Sequence, residues 1–287
     1  MFILSFTYQI YYSFPMKCRS FFSQNFNTDA FNLSIARRLC TSSKQAYDTP
    51  DQIHARGHLC VIEPKYDLQA VIELHDDVTI VAYRGTRSLL NWKVDITAIP
   101  NKLGIHTGFY EADESLNIRI LETLPRFPVS KPLLLTGHSL GGALALEGAI
   151  RYKPALVYTF GEPRGLTWHY IADSLHMLQS INHWRIVDRE DIVPHVPGLL
   201  GGWRHTGQLG LISSFGEFEI NPSIRRQVRS HVYGISADLC RIFQGELPQW
   251  VIVKEHSIDR YDVALRNLAY RRGELFKLGD GSVQPRF

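Results

Sequence analysis

Cysteine is scarce in this chain. Cys18, Cys40, Cys60 and Cys240 are the only four among 287 residues, widely spaced and without a C-x-x-C pair. That argues against a dithiol redox motif or a zinc ribbon, and four cysteines in so long a chain make no disulfide scaffold, although one or two bridges stay open. A metalloprotease helix is missing too. His54 and His58 sit four apart, but Gly57 lies between them and the helix's glutamate is absent, so they read as surface histidines. There is no basic stripe: the formal charge is +3, and the one dense cluster, Arg225, Arg226 and Arg229, reads as a solvated face rather than a nucleic-acid contact. Linkers, charge runs and internal repeats are also lacking, which favours one domain over two.

No apolar run reaches membrane length. Met1 to Phe14 is apolar and aromatic, yet too short to span a bilayer, without a basic start or a small-residue cleavage site after it. Three readings fit: a poorly ordered extension, a weak membrane-surface contact, or a start placed too early, with Met16-Lys17 the true beginning. The expected organisation is a poorly ordered extension over 1–27 and a single domain over 28–287. The want of a clean signal peptide favours the cytoplasm over secretion.

What is present is an ordinary globular composition, 45% hydrophobic and 21% charged. Helical spacing of Ala30, Leu33, Ala36, Arg37 and Cys40, with Asp29 as a cap and Pro50 beyond, predicts a helix over 29–46. Gln69–Leu74 and Val78–Tyr83 read as strands joined at Asp76-Asp77. Leu133–Thr136 is a short buried strand, Leu140–Arg151 a helix, Ala155–Phe160 a strand, Thr167–Leu178 a helix and Ile181–Val187 a strand. Beyond Pro197 the pattern weakens, with helices over His231–Phe243 and Tyr261–Tyr270. Alternating strands and helices predict an α/β fold with a mostly parallel central sheet flanked by helices.

The chemistry concentrates where the buried strand meets Gly137-His138-Ser139-Leu140-Gly141 and a helix follows at once. A serine on so sharp a turn adopts a strained backbone, and its close neighbours must be small. The turn also aims the Leu140 N–H at a developing oxyanion. Such a serine needs a general base and an orienting acid, in the chain order serine, acid, histidine. Asp188, Glu190 and Asp191 follow a strand, where catalytic groups of open α/β sheets collect. Spacing does not choose among them. Of His205, His231 and His256, the last suits best, in a loop after a β-rich run. Thr86, in Tyr83-Arg84-Gly85-Thr86 after an early strand, fits a second oxyanion donor, although Arg-Gly-Thr in isolation reads more readily as a simple turn.

Six ordered segments resemble the class 3 lipases, the family that includes the filamentous-fungal triacylglycerol lipases. They are Tyr83–Asp95, Ile105–Phe109, Gly137–Ala145, Tyr158–Gly165, Asp191–Pro194 and His256–Tyr261. The resemblance implies an α/β-hydrolase fold with a short lid and a triad of Ser139, Asp191 and His256. It also implies an oxyanion hole of Thr86 and Leu140, and no metal or organic cofactor. His205 matches a strand near the site that does not supply the base. The implied lid is Ser88–Ile96, with Leu89, Leu90, Trp92 and Val94 among its apolar residues. The short connection from lid to His106 and the long stretch from Pro197 to Glu255 depart from the fungal pattern. The implied activity is lipase cleavage of acylglycerol esters through a Ser139 acyl-enzyme, on an ester or lipid substrate with transient contact at a lipid interface. Esterase action on soluble aryl or feruloyl esters, phospholipase action, and an inactive lipid-binding protein are the rival readings. Oligomeric state stays open. The whole reading requires Ser139, His256 and Asp191 to converge within hydrogen-bonding reach.

Overall fold

A computed structural model describes residues 30–86, 107–124, 131–188, 191–197, 201–213, 217–229, 232, 254, 256–273, 275–277 and 283–285. The N-terminal extension, the lid residues Leu89, Leu90, Trp92 and Val94, Glu190, His231 and most of the helix expected over His231–Phe243 lie outside them.

In chain order, helices α1 (Leu33–Gln45) and α2 (Pro50–Ala55) precede strands β1 (Leu59–Glu63), β2 (Leu68–Leu74) and β3 (Thr79–Tyr83). Helix α3 (Thr107–Thr123), strand β4 (Leu133–His138), helix α4 (Leu140–Tyr152) and strand β5 (Leu156–Phe160) follow. Then come β6 (Leu166–Thr167), the short helices α5 (Trp168–Asp173) and α6 (Leu175–Gln179), and β7 (His183–Asp188). The chain continues through β8 (Trp203–Arg204), β9 (Gln208–Ile212), β10 (Phe218–Ile220) and helix α7 (Ile258–Arg271), with β11 (Leu275–Lys277) and β12 (Val283–Pro285) pairing separately.

Eight strands form the main sheet in the order β1-β2-β3-β4-β5-β7-β9-β10. The pairs from β3 through β9 are parallel, while β1-β2, β2-β3 and β9-β10 are antiparallel. The expected hairpin is β2-β3, closed by His75 N–H on the Val78 carbonyl at 3.0 Å.

Parallel strands must be apolar on both faces, and these are. Ile80, Leu134, Tyr158, Phe160, Trp184 and Ile186 pack with Leu39 of α1 and Leu265 of α7 on one side. Their alternates Val81, Leu135 and Val157 pack with Leu116 of α3 and Leu144 of α4 on the other. This is a three-layer α/β/α sandwich.

Several boundaries differ from expectation for local reasons. The first helix begins later because Asn32, whose Oδ1 accepts the Ile35 N–H at 3.0 Å, is the cap. The helix expected over Thr167–Leu178 breaks at Ser174, leaving α5 and α6. Strand β9, in Gln208-Leu-Gly-Leu-Ile212, carries little β-branched signal; its Gly210 leaves room for the Phe218 ring, which would stand 2.5 Å from a Cβ there. Cys40 and Cys60 are free thiols.

Candidate active site

Only Ser139 separates buried β4 from α4, so it makes the turn alone. Its backbone lies at φ 60° and ψ −133°, which an L-residue adopts only under strain. The surroundings hold it there: Ser139 N–H donates to the Phe160 carbonyl at 2.9 Å, and its own carbonyl accepts from Gly142 N–H at 2.9 Å. Larger neighbours are excluded. A Cβ on Gly137 would stand 2.0 Å from Gly141 O, and one on Gly141 would stand 2.2 Å from Tyr83 O. The Leu140 N–H opens α4, where no intrahelical acceptor exists.

His256 Nδ1 lies 2.7 Å from Asp191 Oδ2, both residues being buried. A carboxylate oxygen accepts here, so Nδ1 carries the hydrogen, and in an uncharged imidazole Nε2 is then the acceptor. Asp191 is held by two further donors: the Tyr261 hydroxyl at 2.6 Å on Oδ2 and the Val193 N–H at 2.9 Å on Oδ1. Burial, and then the Asp191 charge, push the Tyr261 phenol well up, so it stays a donor.

Backbone geometry brings serine and histidine to one place. Phe160, whose carbonyl takes the Ser139 N–H, is followed by Gly161, where a Cβ would lie 2.7 Å from Asp191 Oδ2 and 2.9 Å from His256 Cε1. His138, next to the serine, stacks on the His256 ring with centroids 4.5 Å apart. Asp191 and His256 are at bonding distance, whereas Ser139 Oγ and His256 Nε2 are each buried without a hydrogen-bond partner among the described residues. Serine–histidine hydrogen bonds are often long or poorly aligned in the absence of substrate. On the other flank, a Cβ on Gly85 would sit 3.0 Å from Ser139 Cβ, which sets the Gly85-Thr86 loop against the elbow.

Among the described residues, the competing candidates Asp188 and His205 are engaged elsewhere. Asp188 is bound by Arg260 Nε at 2.8 Å, and its N–H donates to Tyr261 Oη at 3.2 Å. His205 Nε2 donates to the Pro194 carbonyl at 2.7 Å, and its Nδ1 lies 3.8 Å from Glu162 Oε1. Burial, then the Arg185 charge, pushes the His205 imidazole down to about 4.

The central segment has known relatives. Residues 80–201 match the family model for lipase (class 3). That segment is thus similar to the class 3 lipases. It contains Ser139 and Asp191, while His256 arrives from outside it. The lipase of Rhizomucor miehei is 30% identical over 167 residues, which is 50% of this chain and 44% of that one. The secreted mono- and diacylglycerol lipase 1 of Fusarium solani is 30% identical over 140 residues, 44% of this chain and 41% of its own. The chain thus spans less than half the length of these curated relatives. The crystal structure of the mono- and diacylglycerol lipase from Aspergillus oryzae superposes with a TM-score of 0.56 at 19% identity, covering 68% of this chain and 87% of that one. The fold is that of the α/β-hydrolases.

One expectation is overturned by the lipase relatives. The preference for the cytoplasm gives way, because relatives in Fusarium solani and Gibberella zeae are named secreted lipases. Sequence reasoning also assigned no role to Tyr261, although it ends the last of the six segments, and it passed over Tyr47 and Glu162. Glu162 follows Gly161 directly and is buried; its Oε2 accepts the Thr159 hydroxyl at 2.6 Å and lies 3.0 Å from His183 Nε2. Burial pushes the Glu162 carboxyl up, but the His183 and His205 interactions outweigh it and hold the group below the usual range.

Proposed function

We propose that this chain is a serine carboxylic ester hydrolase acting on acylglycerol esters, with Ser139 as nucleophile, His256 as general base and Asp191 as the orienting acid. One observation carries the reading: a strained, buried serine beside an imidazole whose Nδ1 donates to a buried carboxylate at 2.7 Å, leaving Nε2 free. The acylglycerol class rests on the relatives' names, and with it goes secretion.

His256 Nε2 takes the hydroxyl proton as Ser139 Oγ bonds to the ester carbonyl carbon. The negative charge on the carbonyl oxygen meets the N–H of Leu140 and the N–H and hydroxyl of Thr86. The carbon–alkoxy oxygen bond then breaks, and the alcohol leaves with the proton from His256. Water adds to the acyl-enzyme, giving a proton to His256, which returns it to Ser139 Oγ as the acid departs. Asp191 fixes the imidazole tautomer and stabilises its cation.

Hydrolysis of a short p-nitrophenyl ester against emulsified triolein, with fluorophosphonate labelling of Ser139, tests this. Labelling with turnover of triolein is expected. A protein that takes no label is no serine hydrolase, and one that cleaves only the soluble ester is not an acylglycerol lipase.

A further inference from the structure

His138 takes part in none of these proton transfers, yet both of its ring nitrogens are engaged. Nε2 lies 2.7 Å from the His256 carbonyl oxygen, and Nδ1 lies 2.9 Å from Tyr47 Oη. A carbonyl can only accept, so Nε2 carries the hydrogen. Burial, and then the neighbouring His256, push the His138 imidazole well down, so the ring is neutral and Nδ1 is bare. Tyr47 must therefore donate to Nδ1. Burial pushes the Tyr47 phenol up, and its oxygen takes the Gly85 N–H.

The bonds form one directed chain. Gly85 N–H donates to Tyr47, Tyr47 donates to His138, and His138 donates to the backbone carbonyl of His256. Its ends belong to the loop that carries Thr86 and to the segment that carries the base. Tyr47 follows α1 and is fixed by its N–H on the Lys44 carbonyl at 3.1 Å. The fit at Gly85 is tight: a Cβ there would stand 2.3 Å from Tyr47 Oη and 2.5 Å from His138 O.

We propose that Tyr47 and His138 are a pair of positioning residues, a strut that sets the oxyanion loop Gly85-Thr86 and the base His256 at a fixed separation across Ser139. The inference rests on the ester-hydrolase reading above. Binding Gly85 N–H to Tyr47 leaves the next amide, that of Thr86, for the oxyanion. A neutral ring stacked on His256 also spares the imidazolium a neighbouring charge, which a cationic His138 would impose at 4.5 Å. The strut acts where reaction geometry matters and substrate binding does not, so its loss separates kcat from KM.

The test compares Tyr47→Phe, His138→Leu and His138→Gln on a short p-nitrophenyl ester, with melting temperatures and fluorophosphonate labelling in parallel. Tyr47→Phe and His138→Leu should each lower kcat about 10- to 100-fold, the scale of a misplaced catalytic group, with KM within about twofold. The double variant should be no slower than the worse single one, because both cut the same chain. His138→Gln keeps an N–H for the His256 carbonyl and should recover part of the loss. Wild-type kcat in a folded, labelled Tyr47→Phe protein overturns the strut and leaves the hydrolase reading standing. Additive losses, or losses in KM alone, also overturn it. If His138→Leu does not fold, Tyr47→Phe alone decides between these outcomes. Failure of the wild-type protein to label at Ser139 overturns the hydrolase reading and the strut together.

Discussion

At the scale of single residues the site is an arrangement of donors around one carboxylate. Asp191 receives hydrogen bonds from His256, Tyr261 and Val193, which aim one oxygen at the imidazole. Ser139→Ala should abolish ester turnover. Asp191→Asn should lower kcat by about 10⁴, the effect known for a serine-protease triad, because an amide favours the wrong tautomer. Tyr261→Phe makes a separate prediction: it removes one of Asp191's donors and strands the buried Asp188 N–H. Loss of such a bond should cost about 1–3 kcal/mol, read from the urea midpoint, together with a measurable fall in kcat. An unchanged midpoint would show that these bonds contribute nothing to the fold. Gly161→Ala is more severe, since φ is +60° and the new methyl would collide with Asp191 Oδ2 and His256 Cε1. Soluble protein with wild-type turnover from that variant would contradict the packing.

At the scale of elements, two devices set the positions of α1 and α4. Helix α4 begins at a residue whose backbone is strained, so the strain must be balanced by the contacts around it. Gly141→Ala, whose Cβ would stand 2.2 Å from the Tyr83 carbonyl oxygen, should push α4 away from β3 and lose both stability and turnover. Helix α1 starts at a side-chain cap. Asn32→Ala removes the acceptor of the Ile35 N–H and should cost about 1 kcal/mol in a denaturant titration. The same chain region bonds to the sheet through Asn32 N–H on Tyr158 Oη at 3.0 Å. The cap therefore stabilises the docking of α1 as well as the helix itself.

At the scale of the whole molecule, the layer between α3 and α4 holds two buried acids and one cation. Asp113 accepts from Arg151 Nε at 3.3 Å and is also bonded by Asn117, which in turn accepts the Tyr83 hydroxyl at 2.8 Å. Burial, against the opposing Arg151 charge, pushes the Asp113 carboxyl up to about 7. Burial, and then Asp113, push Glu147 well up too, and its Oε1 has no hydrogen-bond partner among the described residues. The folded protein thus keeps protons that the unfolded chain releases in the ordinary carboxylate range near about pH 4. Where the native state binds more protons, stability falls as pH rises. Melting temperature should therefore decline between pH 5 and pH 8 through this layer. Glu147→Gln should flatten the decline and raise the melting point at pH 8. A wild-type melting point that rises over this interval, with Glu147→Gln less stable at pH 8, would mean the acids are ionised in the fold.

The sequence by itself determined the alternating α/β order, the elbow and the serine proposed as nucleophile, because strand, glycine spacing and helix stand within a dozen or so consecutive residues. It also made Asp191 and His256 candidates, though local pattern left Asp188, Glu190, His205 and His231 beside them until the family resemblance singled the pair out. Only the tertiary structure decided that Asp191 meets His256, that Arg260 and Tyr261 hold Asp188, and that Tyr47, 91 residues before His138, completes its bonds. The reason is physical. Backbone strain and hydrophobic period are written in neighbouring residues, whereas a hydrogen bond between distant side chains exists only once the sheet has set their separation and excluded the water that would compete for it.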